Sequence, residues 1–194
     1  MSVVEVSLIK LIEALRNNEI GKLREELSKA ERIVMDIYRL PRFEVKIRGP
    51  DKRLVTLNRG VLDRLEYALF KAILEAAKSN KLPTFKDVAE ISSDYKASAK
   101  YITLLAETGY IVFPDPAKAA KLLEAVKAIS ESKYQRCISK VLDLPLLLNV
   151  KALEENADKI LCSFKDDKLT CNLYSHGEAR DQEKVQVKVF NEYI

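Results

Sequence analysis

The chain has 194 residues, 47% of them apolar and 32% charged, with a formal net charge of +4. That length allows one large domain or two small ones, and the apolar share supplies a core, which excludes a disordered tail or a disulfide-dense miniprotein. Tryptophan is absent, Gly and Pro are sparse, and no apolar run approaches membrane-span length, so a helix-rich protein with no membrane partner is expected.

The start, MSVVEVSLIKLIEAL, carries Glu5, Lys10 and Glu13 within its apolar pattern and does not read as a signal peptide. A cytoplasmic protein is expected. Gln is rare (Gln135, Gln182, Gln186) while Lys, Glu and Ile are frequent, a bias shared with thermophile proteins.

Val4, Leu8, Leu11 and Leu15 fall at heptad spacing, and Leu23, Leu27, Ala30, Val34 and Ile37 resume it after Asn17-Asn18. The spacing predicts an N-terminal helical hairpin over residues 1–40, used for core packing or as a dimerisation seam. Pro41 ends it. Residues 43–47 alternate with Phe43, Val45 and Ile47 inward, and a turn at Gly49-Pro50-Asp51 leads to Leu54-Val55-Thr56-Leu57, a β-hairpin.

Charge is concentrated there. Residues 41–60 hold six basic side chains (Arg42, Lys46, Arg48, Lys52, Arg53, Arg59) against Glu44 and Asp51, whereas residues 1–40 balance seven against seven. Clustered positive charge steers polyanions; it is also common on a solvated hairpin tip.

Leu62, Leu65, Leu69, Ala72, Ile73 and Ala76 predict a helix over 61–79. Thr84 with Asp87 three residues on makes a capping box for a short helix over 85–92. Asp94 caps a third helix that ends before Gly109, and Tyr110–Phe113 reads as a buried strand. Counting back from Gly109 puts Ile102 and Leu105 inward, Ser98 against the preceding helix, and Tyr95, Lys96, Ala97, Lys100 and Thr103 outward.

The run PTFKDVAEISSDYKASAKYITLLAETGYIVF over 83–113 resembles the winged-helix family of helix-turn-helix modules, and the likeness extends over residues 62–113. The resemblance implies a three-helix core with a small sheet and nucleic-acid binding by the third helix. Residues 110–113 would pair with the hairpin at 43–57. Two departures shape the functional expectation. Phe113 is followed by Pro114-Asp115-Pro116, which opens another helix where the family has its wing. The third helix has no Arg, Asn or Gln to read bases, only Lys96 and Lys100, which suit phosphates.

Residues 116–142 continue helically, with Ala120, Leu123, Val126 and Ile129 on one face and Cys137 on a later stripe; a last helix reaches about Asn156. The tail from 158 reads as a three-stranded antiparallel β-meander ending in Val185, Val187 and Val189. A two-residue turn at Asp166-Asp167 places Cys162 opposite Cys171, Phe164 opposite Leu169 and Ile160 opposite Leu173. The cysteines then form either a disulfide or two buried thiols, the latter favoured by a reducing cytosol.

The expected fold is therefore α+β, mainly helical: a winged-helix-like core over 41–115, with the helical hairpin before it, a helical segment over 116–157 and the meander over 158–194. No enzyme, cofactor or metal is expected. His176 is the lone histidine, in a Ser-His-Gly-Glu turn, and no nucleophile motif, phosphate-binding glycine loop or CxxC occurs. The expectation is a transcription or genome-maintenance factor gripping DNA or RNA by its backbone through Arg48, Lys52, Arg53, Tyr95, Lys96, Lys100 and Thr103. The alternative is a scaffold or accessory subunit of a larger complex, whose winged helix docks a protein partner or a second copy of the chain.

Overall fold

A computed structural model of the chain describes residues 2–41, 44–48, 51, 53–114, 117, 120, 124, 143–166, 168–175 and 178–186. The architecture is α+β. The chain opens with strand β1 (Val3–Ser7), helices α1 (Leu8–Arg16) and α2 (Gly21–Lys29), and strand β2 (Arg32–Tyr38). A hairpin follows, β3 (Lys46–Arg48) and β4 (Leu54–Thr56), then helices α3 (Arg59–Lys78), α4 (Phe85–Ser92) and α5 (Tyr95–Glu107). Next come β5 (Ile111–Val112), β6 (Leu147–Leu148), helix α6 (Val150–Asn156), and strands β7 (Lys159–Lys165), β8 (Lys168–Ser175) and β9 (Glu178–Gln186).

The ends of the expected N-terminal helical hairpin are strands. β1 and β2 pair in parallel, Val4 beside Ile33 and Val6 beside Met35, and the two short helices form the crossover between them. The reason lies in period 2: Ile33, Met35 and Ile37 are buried, with Arg32, Val34, Asp36 and Tyr38 on the other face. A parallel pair needs a crossover of about a dozen or more residues, which α1 and α2 supply. Ser7 starts α1 by accepting the Lys10 N–H at 3.4 Å.

β2 also pairs antiparallel with β7, so the tail strands join the N-terminal unit in one five-stranded sheet of order β1-β2-β7-β8-β9. Cys162 stands opposite Cys171, Phe164 opposite Leu169 and Ile160 opposite Leu173. Asp166, at φ +50°, lies in the turn. Cys162 and Cys171 are joined by a disulfide. β9 begins at Glu178 and its register shifts between Asn172 and Tyr174. Val187, Val189, His176 and most of 116–142, Cys137 included, lie outside the described residues.

The core face of this sheet meets α3, where the rings of Tyr67 and Phe164 stack 6.2 Å apart. α3 also packs against α1, α2, α4 and α5. Leu65, Leu69 and Ile73 along it are fully buried, each worth roughly 1.5–3 kcal/mol relative to exposure. Because neighbours surround α3, apolar residues occupy several of its faces and not a single stripe. Its start is fixed by Asn58, whose side-chain oxygen accepts the Val61 N–H at 2.9 Å.

α4 begins with the capping box: the Asp87 N–H reaches the Thr84 hydroxyl at 3.3 Å, and the Thr84 N–H reaches the Asp87 carboxylate at 3.0 Å. Ser93 ends it in the left-handed region at φ +59°, and Asp94 caps α5 through the Ala97 N–H at 2.9 Å. Ser92 and Ser98, both fully buried, bond hydroxyl to hydroxyl at 2.7 Å. Their small side chains let α4 and α5 approach closely. Gly109 closes α5 at φ +85°, a conformation that favours glycine, and its carbonyl accepts the Asn149 amide at 2.9 Å.

β5 does not pair with the hairpin at 43–57. Its partner is β6, Ile111 beside Leu148 and Val112 beside Leu147. The preference is hydrophobic: Leu146, Leu147 and Leu148 are buried, whereas β4 is exposed along its length. Thr84 bridges antiparallel to Pro145, supported by Phe85 N–H to Leu144 O at 3.0 Å and Leu146 N–H to Pro83 O at 2.9 Å.

Candidate nucleic-acid interface

The two segments expected to meet nucleic acid, the hairpin and α5, lie together, because β3 packs against α5. Val45 is fully buried and its carbonyl accepts the Leu57 N–H at 2.8 Å, which seats the hairpin base. Ile47, two residues on, is half-buried, so the inward assignment of Val45 and Ile47 agrees with the structure; Phe43 lies outside the described residues.

The face of α5 expected to be outward is largely covered. Tyr95, Lys96 and Lys100 are half-buried. Thr103, expected outward, is only 2% exposed, and its hydroxyl donates to the Ala99 carbonyl at 2.8 Å. Ala97, also expected outward, is fully buried, as is Ala99. The first exposed residue of the helix is Glu107, at its C-terminal end. A helix wheel counted from Gly109 found the inward residues Ile102 and Leu105 but could not register how many elements, α3, α4, β3 and β5, pack on the helix.

On the hairpin, Arg53 projects into solvent with its side chain 86% exposed and pairs with Asp51 at 3.6 Å; Lys46 pairs with Glu44 at 3.3 Å. Such exposed pairs contribute little and open readily to a competing anion. Arg48 sits on β3 opposite Leu54. Lys52 and the Arg48 side chain lie outside the described residues. Beside the cations, Leu54 and Val55 are 59% and 48% exposed on β4.

A second concavity had no signal in the sequence. A cleft of about 570 Å³ opens where the end of β2, the start of α3, Tyr110 and the end of α6 converge. Arg39 and Arg59 line it with Tyr110, Asn156 and Asp158, over Leu62. Arg39 gives one donor to Glu66 at 3.4 Å, and its backbone N–H is held by the Asp158 carbonyl at 2.8 Å. The two arginines are twenty positions apart, one just past β2 and the other at the start of α3, and no spacing rule links them.

Among the described residues no cluster of His, Cys, Asp and Glu could hold a metal ion, and no helix is long and apolar enough to cross a membrane. No family model, no curated protein and no solved structure matches the chain.

Proposed function

We propose that the chain is a non-enzymatic, winged-helix-like module that serves as a scaffold or accessory subunit of a larger assembly. The winged-helix part of this reading is supported by strand order: Thr84 bridges to the β6 segment, β6 pairs with β5, and α4 and α5 lie between in sequence. The observation that carries the subunit role is the burial of α5. A helix entering the major groove, about 12 Å wide, must offer one exposed polar side. Here Ala99 and Thr103 are buried and Lys96 and Lys100 are half-buried on a helix against which the protein's own hairpin packs. The edge of β4 that pairs with no strand among the described residues, with Leu54 and Val55 exposed, is a surface of the kind protein partners cover.

A second reading has its own observation. The concentration of positive charge over 41–60 and the exposure of Arg53 favour phosphate contact through the hairpin, independent of α5. A mobility-shift titration against random duplex and single strands, run beside light scattering, separates the two. A monomer with no shift at low salt supports the subunit reading; a dimer that shifts duplex supports a regulator and contradicts it.

A further inference from the structure

We propose that the cleft between the end of β2, the start of α3 and the end of α6 binds a nucleotide unit, its phosphate at Arg39 and Arg59 and a sugar hydroxyl at Asp158. The volume of about 570 Å³ lies within the range of small-ligand sites. The lining has the mixture such a ligand needs: two guanidiniums, an aromatic ring, a carboxamide, a carboxylate and an apolar floor.

Arg59 is exposed and makes no ion pair among the described residues, so its fork of donors is open to phosphate oxygens. Arg39 spends one donor on Glu66, which fixes the guanidinium against the wall while its other donors remain for a ligand. Tyr110 also lines the cleft, and an aromatic side chain at such a site suits base stacking.

Asp158 sets the ligand class. A carboxylate in the same cleft repels a bare phosphate and accepts a bond from a hydroxyl. The cleft therefore fits a phosphate carried on a hydroxylated sugar better than inorganic phosphate. Asn156 beside it supplies both a donor and an acceptor. The source is either a free nucleotide or one residue of a single strand, since both present the same unit. This inference does not depend on the subunit role, and it uses neither α5 nor the hairpin tip.

The test is calorimetric titration of the full chain with adenosine 5′-monophosphate, adenosine and inorganic phosphate, and with a single-stranded RNA ten-mer. The monophosphate should bind more tightly than either fragment. Arg59→Ala should weaken it about tenfold, the loss of a charge-assisted contact. Asp158→Asn should strengthen inorganic phosphate while weakening the monophosphate, because repulsion and hydroxyl recognition disappear together. Neither change touches the Asp158 carbonyl that holds Arg39, and unchanged melting temperatures would verify that the fold is intact. RNA binding that the monophosphate competes away and Arg59→Ala weakens identifies a strand as the source; monophosphate binding without RNA binding identifies a free nucleotide. No heat with the monophosphate at millimolar concentration, or binding indifferent to both substitutions, would overturn the proposal.

Discussion

Glu66 on α3 holds the end of β2: one carboxylate oxygen accepts the Leu40 backbone N–H at 3.2 Å and the other lies 3.4 Å from the Arg39 guanidinium. The carboxylate is 7% exposed and Leu40 is buried, so neither has water as a ready substitute. Glu66→Ala leaves a buried N–H and a largely buried cation without their partner. The expected loss is about 2–4 kcal/mol, discounted for the partial exposure of Arg39. Urea denaturation followed by circular dichroism measures it, and a loss under about 0.5 kcal/mol would show that water replaces the carboxylate.

The bridge between Cys162 and Cys171 joins adjacent strands nine residues apart in sequence. Loop-closure entropy for so short a ring stabilises the fold by about 2.5 kcal/mol. In the denatured, unreduced protein one thiol, Cys137, should be alkylated, as read by mass. Three alkylated thiols would contradict the bridge. The double change to serine should lower stability by at least the closure figure, since both positions face the core.

Ser98 meets Ser92 at the contact of α4 and α5, where both are fully buried. Ser98→Leu inserts volume that neither helix can yield and should cost about 1–3 kcal/mol. Ser98→Ala removes only one hydroxyl, because Ser92 keeps its bond to the Ala89 carbonyl, and should cost about 1 kcal/mol. Thermal melts of the two variants should therefore rank leucine below alanine; the reverse order would place slack at this contact.

The hairpin makes a salt-dependent prediction. If the chain contacts phosphates through Arg48, Lys52 and Arg53, replacing all three by alanine should flatten the slope of log affinity against log salt by about two to three. Affinity measured at several salt concentrations gives that slope, and an unchanged slope removes the hairpin from any nucleic-acid contact.

Local chemistry was legible where one short-range rule decides the structure. The Thr84–Asp87 box, the Asp94 cap, the Gly109 stop and the Cys162–Cys171 register follow from side chains within a few positions of one another. Val4 continues into Leu8, Leu11 and Leu15 at near-helical spacing, which hides the N-terminal strands and the strand-to-helix change at Ser7. The available signal was the alternation of Ile33, Met35 and Ile37. The partner of β5 lies over thirty residues away in sequence, and so does the hairpin that packs on α5. Such long-range choices depend on which apolar surface is already covered, so the outward positions of α5 and the cleft at Arg39 and Arg59 could not be counted from a wheel.

In the proposed subunit role α5 is held against protein and does not read a duplex. Fluorescence anisotropy of random duplex at low salt, comparing the native chain with Lys96→Ala/Lys100→Ala, tests it most directly. The two proteins should be indistinguishable in affinity and in salt slope, whether or not either binds. Binding by the native chain that falls tenfold or more in the double variant would contradict it.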